Sequence, residues 1–546
     1  MASGGASIEF QHATILDGSG GDPITGHVHI DDGRIQRISA TPGGADRVID
    51  LDGRYLAPGF IDMHAHSELR LLDRPDAAEK VTQGVTLEVL GQDGVSVAPA
   101  PEPLQEEWAR RIRSLDGTHD PWSWTTVKEY LDTLDDAAPA VNCVMYAPHG
   151  NLRSTAAGFE DRPLDAIEIE TLQDRLREAI DAGAFAMSKG MIYPPSAYAR
   201  DDELVALAET LSQRNGFMVS HVWNESDRVV ESIDRYIKLC EQGGCQPHIS
   251  HLKVAGEDNW GRSTEVLEVI DAATDRDTRV TFDQYPWTAG STMLSALLPP
   301  WARKGESADI IDRLEDPDAR ERIRESINTG HEEWENLAKA AGTWDNILLT
   351  HTASGQYEGE TIADIAADRD ADPIETLCDL LVAEDLDVTM ADFVMDDQDI
   401  ERFLADERGT ICTDGIFGGK PHPRAVGTYP RLLGRYVRDR NTLSVETAVY
   451  KAAGHPADIL GLPDRGRIRE GYRADLVVFD LDTVAANATY ENPLQYADGI
   501  DYVLVNGRIA VEAGEPTEAR AGTVLRSGDE WGGPSRPAET VRRNGD

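Results

Sequence analysis

The sequence LAPGFIDMHAH, residues 56–66, predicts a buried β-strand that ends in two histidines. An apolar run is interrupted at Pro58-Gly59 and then resumes up to the histidines. Because side chains two positions apart in a strand project from the same face, His64 and His66 are expected to enter one space. An exposed pair is the alternative. The apolar approach favours a buried pair that shares a divalent cation, since buried polar groups need partners.

The middle of the chain repeats a helical pattern followed by a short apolar run that ends in polar residues. The helical patterns at 167–182, 201–214, 226–242 and 264–273 lead into runs at 184–189, 217–221, 247–251 and 280–285. This alternation predicts parallel strands joined by crossover helices, and therefore an α/β fold. We expect a TIM (β/α)8 barrel, in which functional residues lie at the carboxyl ends of the strands. A Rossmann-type sheet is the alternative, but no Gly-x-Gly-x-x-Gly motif follows these runs.

The two ends of the chain differ from this middle part. Short alternating strands and turns over residues 1–57 and 465–526 predict one small β-sandwich domain built from both termini. The barrel is then expected over residues 58–464. Residues 287–346 lack the helix–strand alternation and predict a segment inserted in the barrel, a candidate lid. The Gly-, Pro- and charge-rich residues 527–546 predict a mobile tail.

The charge of the chain argues against several classes of partner. Its 546 residues include 98 Asp+Glu and 52 Lys+Arg, which gives a formal net charge of -46. Such a charge repels nucleic acid and anionic lipid head groups, so we expect neither as a partner. Because the acidic residues are spread along the whole chain, we predict a halophilic protein whose self-repulsion is screened by salt.

The cysteines and the N-terminus bear on where the protein acts. The five cysteines have irregular spacing and form neither a disulfide framework nor a Cys-x-x-Cys motif. Residues 1–7 lack the features of a signal peptide, and no apolar run is long enough to span a membrane. These features predict a soluble, cytoplasmic protein that acts on a small molecule. The sequence leaves the oligomeric state open.

Two further histidines come from the helix–strand repeat. His221 and His251 each end a predicted strand and are one repeat apart, so adjacent strands would place them beside His64 and His66. Zinc suits such ligands and lowers the pKa of bound water. Asp414 also ends a predicted strand; it is either a turn residue or, beside four imidazoles, the group that accepts the proton of the attacking water. The weaker metal-binding candidates are His149, His248 and His422, of which His248 is expected to be structural.

Several motifs together resemble the amidohydrolase superfamily, and within it the D-aminoacylase (N-acyl-D-amino-acid deacylase) family. The matching stretches are residues 58–66, 81–86, 91–99, 190–195, 250–253, 282–301, 413–415, 422–424, 427–431 and 471–480. The resemblance implies a zinc-dependent hydrolase on a TIM barrel that splits an N-acyl-D-amino acid into a carboxylic acid and a free D-amino acid. It also implies that His221 and His251 hold the tighter zinc, that His64 and His66 serve a second, weaker site, and that Asp414 is the catalytic acid and base.

The chain departs from this family at one position of the metal site. Where the family typically has Gly-Asn-Cys-Gly, this chain has Gly91-Gln92-Asp93-Gly94. Asp93 is therefore a candidate oxygen ligand. The alternative ligand is a carboxylated Lys189 that bridges two metals, as in the similar dihydroorotases and hydantoinases. An ordinary lysine at the end of a strand is the third interpretation, so the number of metals stays open.

Three side chains are expected to bind an anion next to the metal. Lys253 is predicted to continue the strand of His251 and to point the same way, and with Tyr285 and Arg424 it could hold a carboxylate through charge-assisted hydrogen bonds. The resemblance assigns these side chains to the α-carboxylate of the substrate. It adds two neighbours, Tyr193 and Ser291.

Two other functions are weighed against the deacylase. A cyclic-amide hydrolase, similar to dihydroorotase or hydantoinase, would be favoured by a carboxylated Lys189. An inactive, metal-free scaffold on the same fold is the other alternative. The complete set of metal-site residues argues against the scaffold: His64, His66, His221, His251 and Asp414.

Overall fold

The computed structural model of the chain describes residues 6–119, 121–329 and 334–528. Within it, strands from both ends of the chain share one nine-stranded sheet. Its strands are Ile8–Ile15, Ile24–Asp31, Arg34–Ser39, Arg47–Asp50, Tyr55–Pro58, Leu476–Phe479, Ile500–Val505, Arg508–Glu512 and Glu515–Pro516. Tyr55–Pro58 joins the two ends, because it pairs in parallel with Ile8–Ile15 and antiparallel with Leu476–Phe479. The sheet covers a separate apolar core that includes Phe10, Val28 and Leu56. The sandwich itself stays a prediction.

Parallel strands form the middle of the protein. Six belong to one sheet: Ala147–Pro148, Met187–Gly190, Phe217–His221, Gln246–Ile249, Thr281–Gln284 and Gly409–Ile411. Three belong to another: Phe60–Asp62, Val85–Leu90 and Asn142–Met145. Only Tyr146 separates the two sheets along the chain. At their other edges, Met63 N donates to Ile411 O over 3.4 Å and Asp414 N donates to His64 O over 2.9 Å. The predicted α/β class is confirmed.

Helices connect these strands where the sequence predicts them. The α-helices with eight or more residues are Glu102–Asp116, Val127–Ala137, His149–Ala157, Ala166–Asp181, Asp201–Ser212, Val229–Gly243, Ser263–Thr274, Ser307–Glu315, Pro317–Thr329, Pro373–Ala383, Asp397–Ala405 and Arg424–Arg431. The shorter ones are Arg70–Asp73, Ala78–Val81, Leu337–Ala341, Ile362–Asp368, Val445–Val449 and His455–Leu460. Two π-helical segments, Leu432–Asp439 and Tyr450–Gly454, follow Arg424–Arg431 and Val445–Val449.

Local sequence signals explain the helix ends. Asp165 starts its helix with a capping box, because its side chain accepts from the backbone of Glu168 while Glu168 reaches back to the Asp165 backbone. Val229–Gly243 buries one apolar face and ends at Gly244, whose φ of 73° suits a residue without a Cβ. None of the helices within the three described ranges is both long and apolar enough to cross a lipid bilayer.

A second unit interrupts the parallel strands between Thr281–Gln284 and Gly409–Ile411, which pair directly with each other. It contains a three-stranded antiparallel sheet in the order Gly290–Met293, Val388–Asp392, Ile347–Thr352. The unit therefore begins where the inserted segment is predicted and includes strands well beyond residue 346.

The end of the described chain packs on the parallel sheet. Cys143 N donates to Thr523 O over 3.0 Å, and Leu525 N donates to Cys143 O over 2.8 Å. Ser527 Oγ donates to Ala184 O over 2.7 Å, so the first residue of the predicted mobile tail is held in place. From residue 529 onwards that tail lies outside the described residues.

Candidate metal and substrate site

Six predicted side chains meet at one end of the parallel strands. Each comes from the carboxyl end of a strand or the turn after it, and such ends share one edge in a parallel sheet. The six are His64 and His66 after Phe60–Asp62, Asp93 after Val85–Leu90, His221 at the end of Phe217–His221, His251 after Gln246–Ile249, and Asp414 after Gly409–Ile411. All are buried. Asp93, His251 and Asp414 have φ values of 52°, 34° and 47°, a left-handed backbone that is costly for residues other than glycine and is concentrated at functional sites.

Asp93 lies between the histidines of different strands. Its Oδ2 is 3.5 Å from Nε2 of both His64 and His251, and 3.8 Å from Nε2 of His66. Burial raises the pKa of Asp93, but His64 and His251 outweigh it and hold the pKa well below its ordinary value. Asp93 is thus a carboxylate with imidazoles on two sides.

Asp414 faces the first pair of histidines. Its Oδ1 is 3.6 Å from His66 Nε2 and 3.7 Å from His64 Nε2, while Arg424 Nη2 lies 2.9 Å from its Oδ2. Burial raises the pKa of Asp414, but Arg424 and the two histidines lower it further, to far below its ordinary value. The carboxylate is therefore ionised and anchored on one oxygen.

His221 and His251 are in direct contact, with His221 Nδ1 3.1 Å from His251 Nε2. Glu225 lies beside them, since its Oε1 is 3.1 Å from His251 Nδ1 and its Oε2 is 3.8 Å from His221 Nε2. Burial and Lys253 lower the pKa of His251, but Glu225 and Asp93 raise it to about 10. The carboxylates therefore favour a positive charge at this position.

The donor set fits a divalent cation. Both ring nitrogens of His64, Nε2 of His221 and Oδ1 of Asp93 are buried and have no hydrogen-bond partner among the described residues. Three overlapping groups have ligand atoms within 4.8 Å of one another: His64, His66 and Asp414; His64, Asp93 and His251; His221, Glu225 and His251. Unsatisfied buried imidazole nitrogens beside carboxylates are what zinc ligation requires.

An anion-binding group adjoins this centre. Arg424 Nη2 donates to Ser291 O over 3.0 Å, whereas its Nε and Nη1 are buried without partners in the described ranges. The hydroxyls of Tyr285 and Ser291 are also buried and unpartnered there. The Arg424 guanidinium carbon lies 4.4 Å from the centre of the Tyr285 ring. These donors face the cavity that His66, Asp93 and Asp414 also line.

Lys253 also lines this cavity, as predicted, but not because it continues the strand of His251. The strand ends at Ile249, so Lys253 does not continue it, and its expected orientation along that strand is wrong. Its Nζ instead donates to both oxygens of Glu225, at 2.8 Å each. Tyr193 also lines the cavity, with its hydroxyl 2.9 Å from Thr292 Oγ1. The positive charge of Lys253 is thus already paired with the Glu225 carboxylate.

Lys189 is on the other face of its strand. It pairs in register with Ser220, whereas Gly190 pairs with His221. Its Nζ donates to Ser220 Oγ over 2.8 Å and lies 4.3 Å from the centre of the Trp223 ring. The structure therefore contradicts the alternative in which a carboxylated Lys189 bridges two metals, because parallel register turns its side chain away from the histidines.

The three weaker histidine candidates have partners for both ring nitrogens. His149 contacts Ser196 and Glu203, at 3.0 and 2.9 Å. His248 contacts Thr281 and Asp283, at 2.7 and 2.9 Å. His422 accepts from Arg424 N over 2.9 Å and lies 3.0 Å from the Tyr490 hydroxyl. The expectation that His248 is structural agrees with these contacts.

Three buried acids of the site have no counterpart among the predicted residues. Glu225 follows His221 by four positions in a loop, and Asp392 ends a strand of the inserted unit. Glu335 also belongs to that unit; its Oε1 accepts from Glu225 N over 2.6 Å and its Oε2 lies 3.9 Å from His221 Nε2. A buried acid close to a strand-end histidine is the one signal that could have identified Glu225. Nothing in the sequence distinguishes the other two from surface acids.

Parallel strands that present buried histidines and carboxylates at one end define an α/β enzyme with a metal centre. A family model described as "Amidohydrolase family" matches residues 47–511, and the chain belongs to this family. This chain is 34% identical over 516 residues to N-acyl-D-glutamate deacylase of Alcaligenes xylosoxydans xylosoxydans. The match covers 94% of this chain and 95% of that one.

Two other relatives agree with this placement. D-Aminoacylase of Alcaligenes xylosoxydans xylosoxydans is 32% identical over 519 residues, covering 94% of this chain and 96% of its own. The crystal structure of N-acyl-D-glutamate deacylase from Bordetella bronchiseptica, complexed with zinc and a phosphonate that mimics the tetrahedral intermediate, superposes with a TM-score of 0.82. It is 32% identical and covers 95% of this chain and 99% of that chain. The predicted family is confirmed.

Proposed function

We propose that this protein is a zinc-dependent hydrolase that cleaves the amide bond of N-acyl-D-amino acids to give a carboxylate and a free D-amino acid. The observation that carries the proposal is that two kinds of unsatisfied group line one cavity. Buried histidine nitrogens that need a cation lie beside buried Arg424, Tyr285 and Ser291 donors that need an anion. A substrate with an amide next to a free carboxylate satisfies both. The names of the relatives support the D configuration.

We infer that the parallel strands close into a (β/α)8 barrel over residues 58–464, in which Asn142–Met145 and Ala147–Pro148 count as one strand interrupted at Tyr146. The two places where the sheets meet support this closure. At one, only Tyr146 separates the sheets along the chain; at the other, hydrogen bonds from Met63 and Asp414 link their remaining edges. The small domain would consist of residues 1–57 and 465–526. The shared nine-stranded sheet and its separate core support that boundary.

We assign the tighter zinc to His221 and His251, and a second, weaker one to His64 and His66, with Asp93 placed to contact both sets. When bound, zinc supplies Lewis-acid polarisation of the amide carbonyl and acidifies water. The side chains that would hold it are imidazoles, which lose their proton when a metal binds, and carboxylates; this set suits zinc better than calcium or magnesium.

Asp414 is the proposed acid and base. It accepts a proton from the water whose oxygen bonds to the amide carbon, and it delivers that proton to the nitrogen as the carbon–nitrogen bond breaks. Arg424 holds one oxygen of Asp414 and leaves the other towards the histidines, so the carboxylate has a fixed orientation. The carboxylate of the substrate then takes the remaining Arg424 donors, which fixes the distance between the amide and Asp414.

The anion-binding role is tested by changing Arg424. Arg424→Leu and Lys253→Met are each expected to cost about 2–5 kcal/mol in kcat/KM for N-acyl-D-amino acids, because one side of a buried charge pair is removed. Substrates whose α-carboxylate is converted to a carboxamide should be hydrolysed poorly by the unaltered enzyme. They should lose less than the free acids on Arg424→Leu, because for them only the anchor of Asp414 is removed. Equal rates for free acids, amide-capped substrates and hydantoins would refute the deacylase and favour a cyclic-amide hydrolase.

We also propose a cytoplasmic location and a need for salt. All five cysteines are free and buried, which suits a reducing compartment. A net charge of -46 repels itself most strongly at low ionic strength. We therefore expect the urea midpoint to fall as salt is lowered towards about 0.1 M, where the Debye length is ~10 Å. A midpoint that does not change with salt would contradict the halophilic prediction.

A further inference from the structure

Part of the wall of the cavity beside the metal centre is apolar. Beyond the metal and anion groups, the wall includes Val95, Leu115, Ile192, Met293, Leu337 and Ile416. All of these except half-buried Met293 are buried. They come from four parts of the chain, including the inserted unit, and together form a hydrophobic surface.

The charged groups of this cavity are already matched to one another. Apart from the imidazoles of the centre, its described lining has two cations, Lys253 and Arg424. Lys253 is held by Glu225, and Arg424 is held by Asp414 while keeping the donors assigned to the α-carboxylate. A second substrate carboxylate would find no free cation there. It would instead meet Asp392, a further carboxyl in the wall.

Arg303 is a buried cation that lines two neighbouring cavities, not this one. Its Nη1 donates to Ile192 O over 2.9 Å, which ties it to the backbone behind the Ile192 side chain. One neighbouring cavity shares Val95, Tyr193 and Met293 with the main one. Arg110 and Arg111 also line that cavity but are paired with Asp385 and Glu107. Arg303, whose Nε has no partner among the described residues, is therefore the cation that could still accommodate an acidic side chain.

We propose that this site selects N-acyl-D-amino acids with an uncharged, apolar side chain and rejects those with an acidic side chain, although the chain is similar to an N-acyl-D-glutamate deacylase. The inference rests on the proposed function. The apolar wall packs the side chain, and desolvating a second carboxylate without a partner excludes the acidic substrate.

The experiment compares matched substrates on the zinc-loaded enzyme. N-Acetyl-D-leucine, -methionine, -glutamine, -glutamate and -lysine are assayed for kcat/KM. Glutamine and glutamate have nearly the same shape, so their ratio isolates the charge. We expect leucine and methionine to be hydrolysed fastest and glutamate at least ~100-fold more slowly than leucine, a lower bound for desolvating a carboxylate that finds no partner.

A variant places the missing cation in the wall. Met293→Arg is expected to raise the glutamate-to-glutamine ratio at least ~10-fold, because it supplies a partner for the second carboxylate. Met293→Gln is the matched control, which adds polarity without charge and should leave that ratio unchanged. Leu337→Arg repeats the test from the inserted unit. An unchanged ratio in both folded arginine variants would contradict the assignment of this wall to the side chain.

The outcomes separate this inference from the proposed function. If no N-acyl-D-amino acid is hydrolysed, the proposed function fails and this inference fails with it. If glutamate is hydrolysed as fast as glutamine, or lysine faster than leucine, the deacylase stands and the apolar selectivity is refuted. Loss of glutamate hydrolysis in Arg303→Met would then identify Arg303 as the group that binds the acid.

Discussion

Two sets of buried histidines lie close to the ends of the same parallel strands and differ in one respect. His149 and His248 have partners for both ring nitrogens, within networks that include Glu203 and Asp283. His64 has none for either nitrogen and His221 lacks one for Nε2, among the described residues. Residue type and burial are alike in the two sets. The unsatisfied nitrogens therefore mark His64 and His221 as metal ligands. His251, whose ring nitrogens contact His221 and Lys253, is assigned from the imidazoles and carboxylates around it.

The largest effect is expected when one histidine of each set is replaced. His221→Ala should lose most of its zinc and all measurable deacylase activity. His149→Gln should keep both and unfold about 1–3 kcal/mol more easily, because Glu203 loses a buried partner. Metal analysis, activity and urea unfolding on the same samples provide the test. A zinc-free His221→Ala enzyme with full activity would break the distinction.

Asp414 and Glu203 allow the same comparison to be made between two buried carboxylates. It faces histidines with unsatisfied nitrogens, whereas Glu203 is the partner of a fully satisfied one. Asp414→Asn keeps the shape but removes the base, so zinc should stay bound while kcat falls at least ~100-fold. If kcat stays within a few-fold of the original at full zinc content, another group transfers the proton.

The smallest effect on zinc binding and activity is expected at Lys189. This residue lies on the outer face of the strand that pairs with the strand of His221. Burial lowers its pKa from 10.5 to about 7. Between these values the unfolded chain binds a proton that the folded chain does not, so the stability of the protein rises with pH relative to Lys189→Met. The methionine variant should therefore gain most stability below pH 7 and lose that gain towards pH 10.5, with zinc and activity unchanged.

Urea unfolding at several pH values, beside metal analysis, measures both expectations for Lys189→Met. Loss of zinc from this variant would reinstate Lys189 as a ligand. A stability difference that does not depend on pH would show that the lysine is charged when buried, held by its contacts with Ser220 and Trp223.

Much of this arrangement could be predicted because it is periodic. The helix–strand repeat brings His221 to His251. His64 and His66 do meet as predicted, but the strand ends at Asp62, so alternation within a strand is not the reason. The parts that depend on loops or on register could not be predicted. His251 lies two residues beyond its strand, in a left-handed conformation. The register between Lys189 and Ser220 follows from packing and not from any local pattern. Glu225 and Glu335 reach the site through loops whose paths have no period.

The nine-stranded sheet has a consequence for the order in which the protein can fold. Pro58 pairs with Leu476, so the strand that leads into His64 receives its second neighbour only after nearly the whole chain has left the ribosome. Closing so long a loop is slow, and until then one edge of Tyr55–Pro58 is open to pairing with other chains. The first metal-binding residues to be synthesised thus depend on some of the last residues for their final support. A stalled or shortened nascent chain would aggregate before it could bind metal.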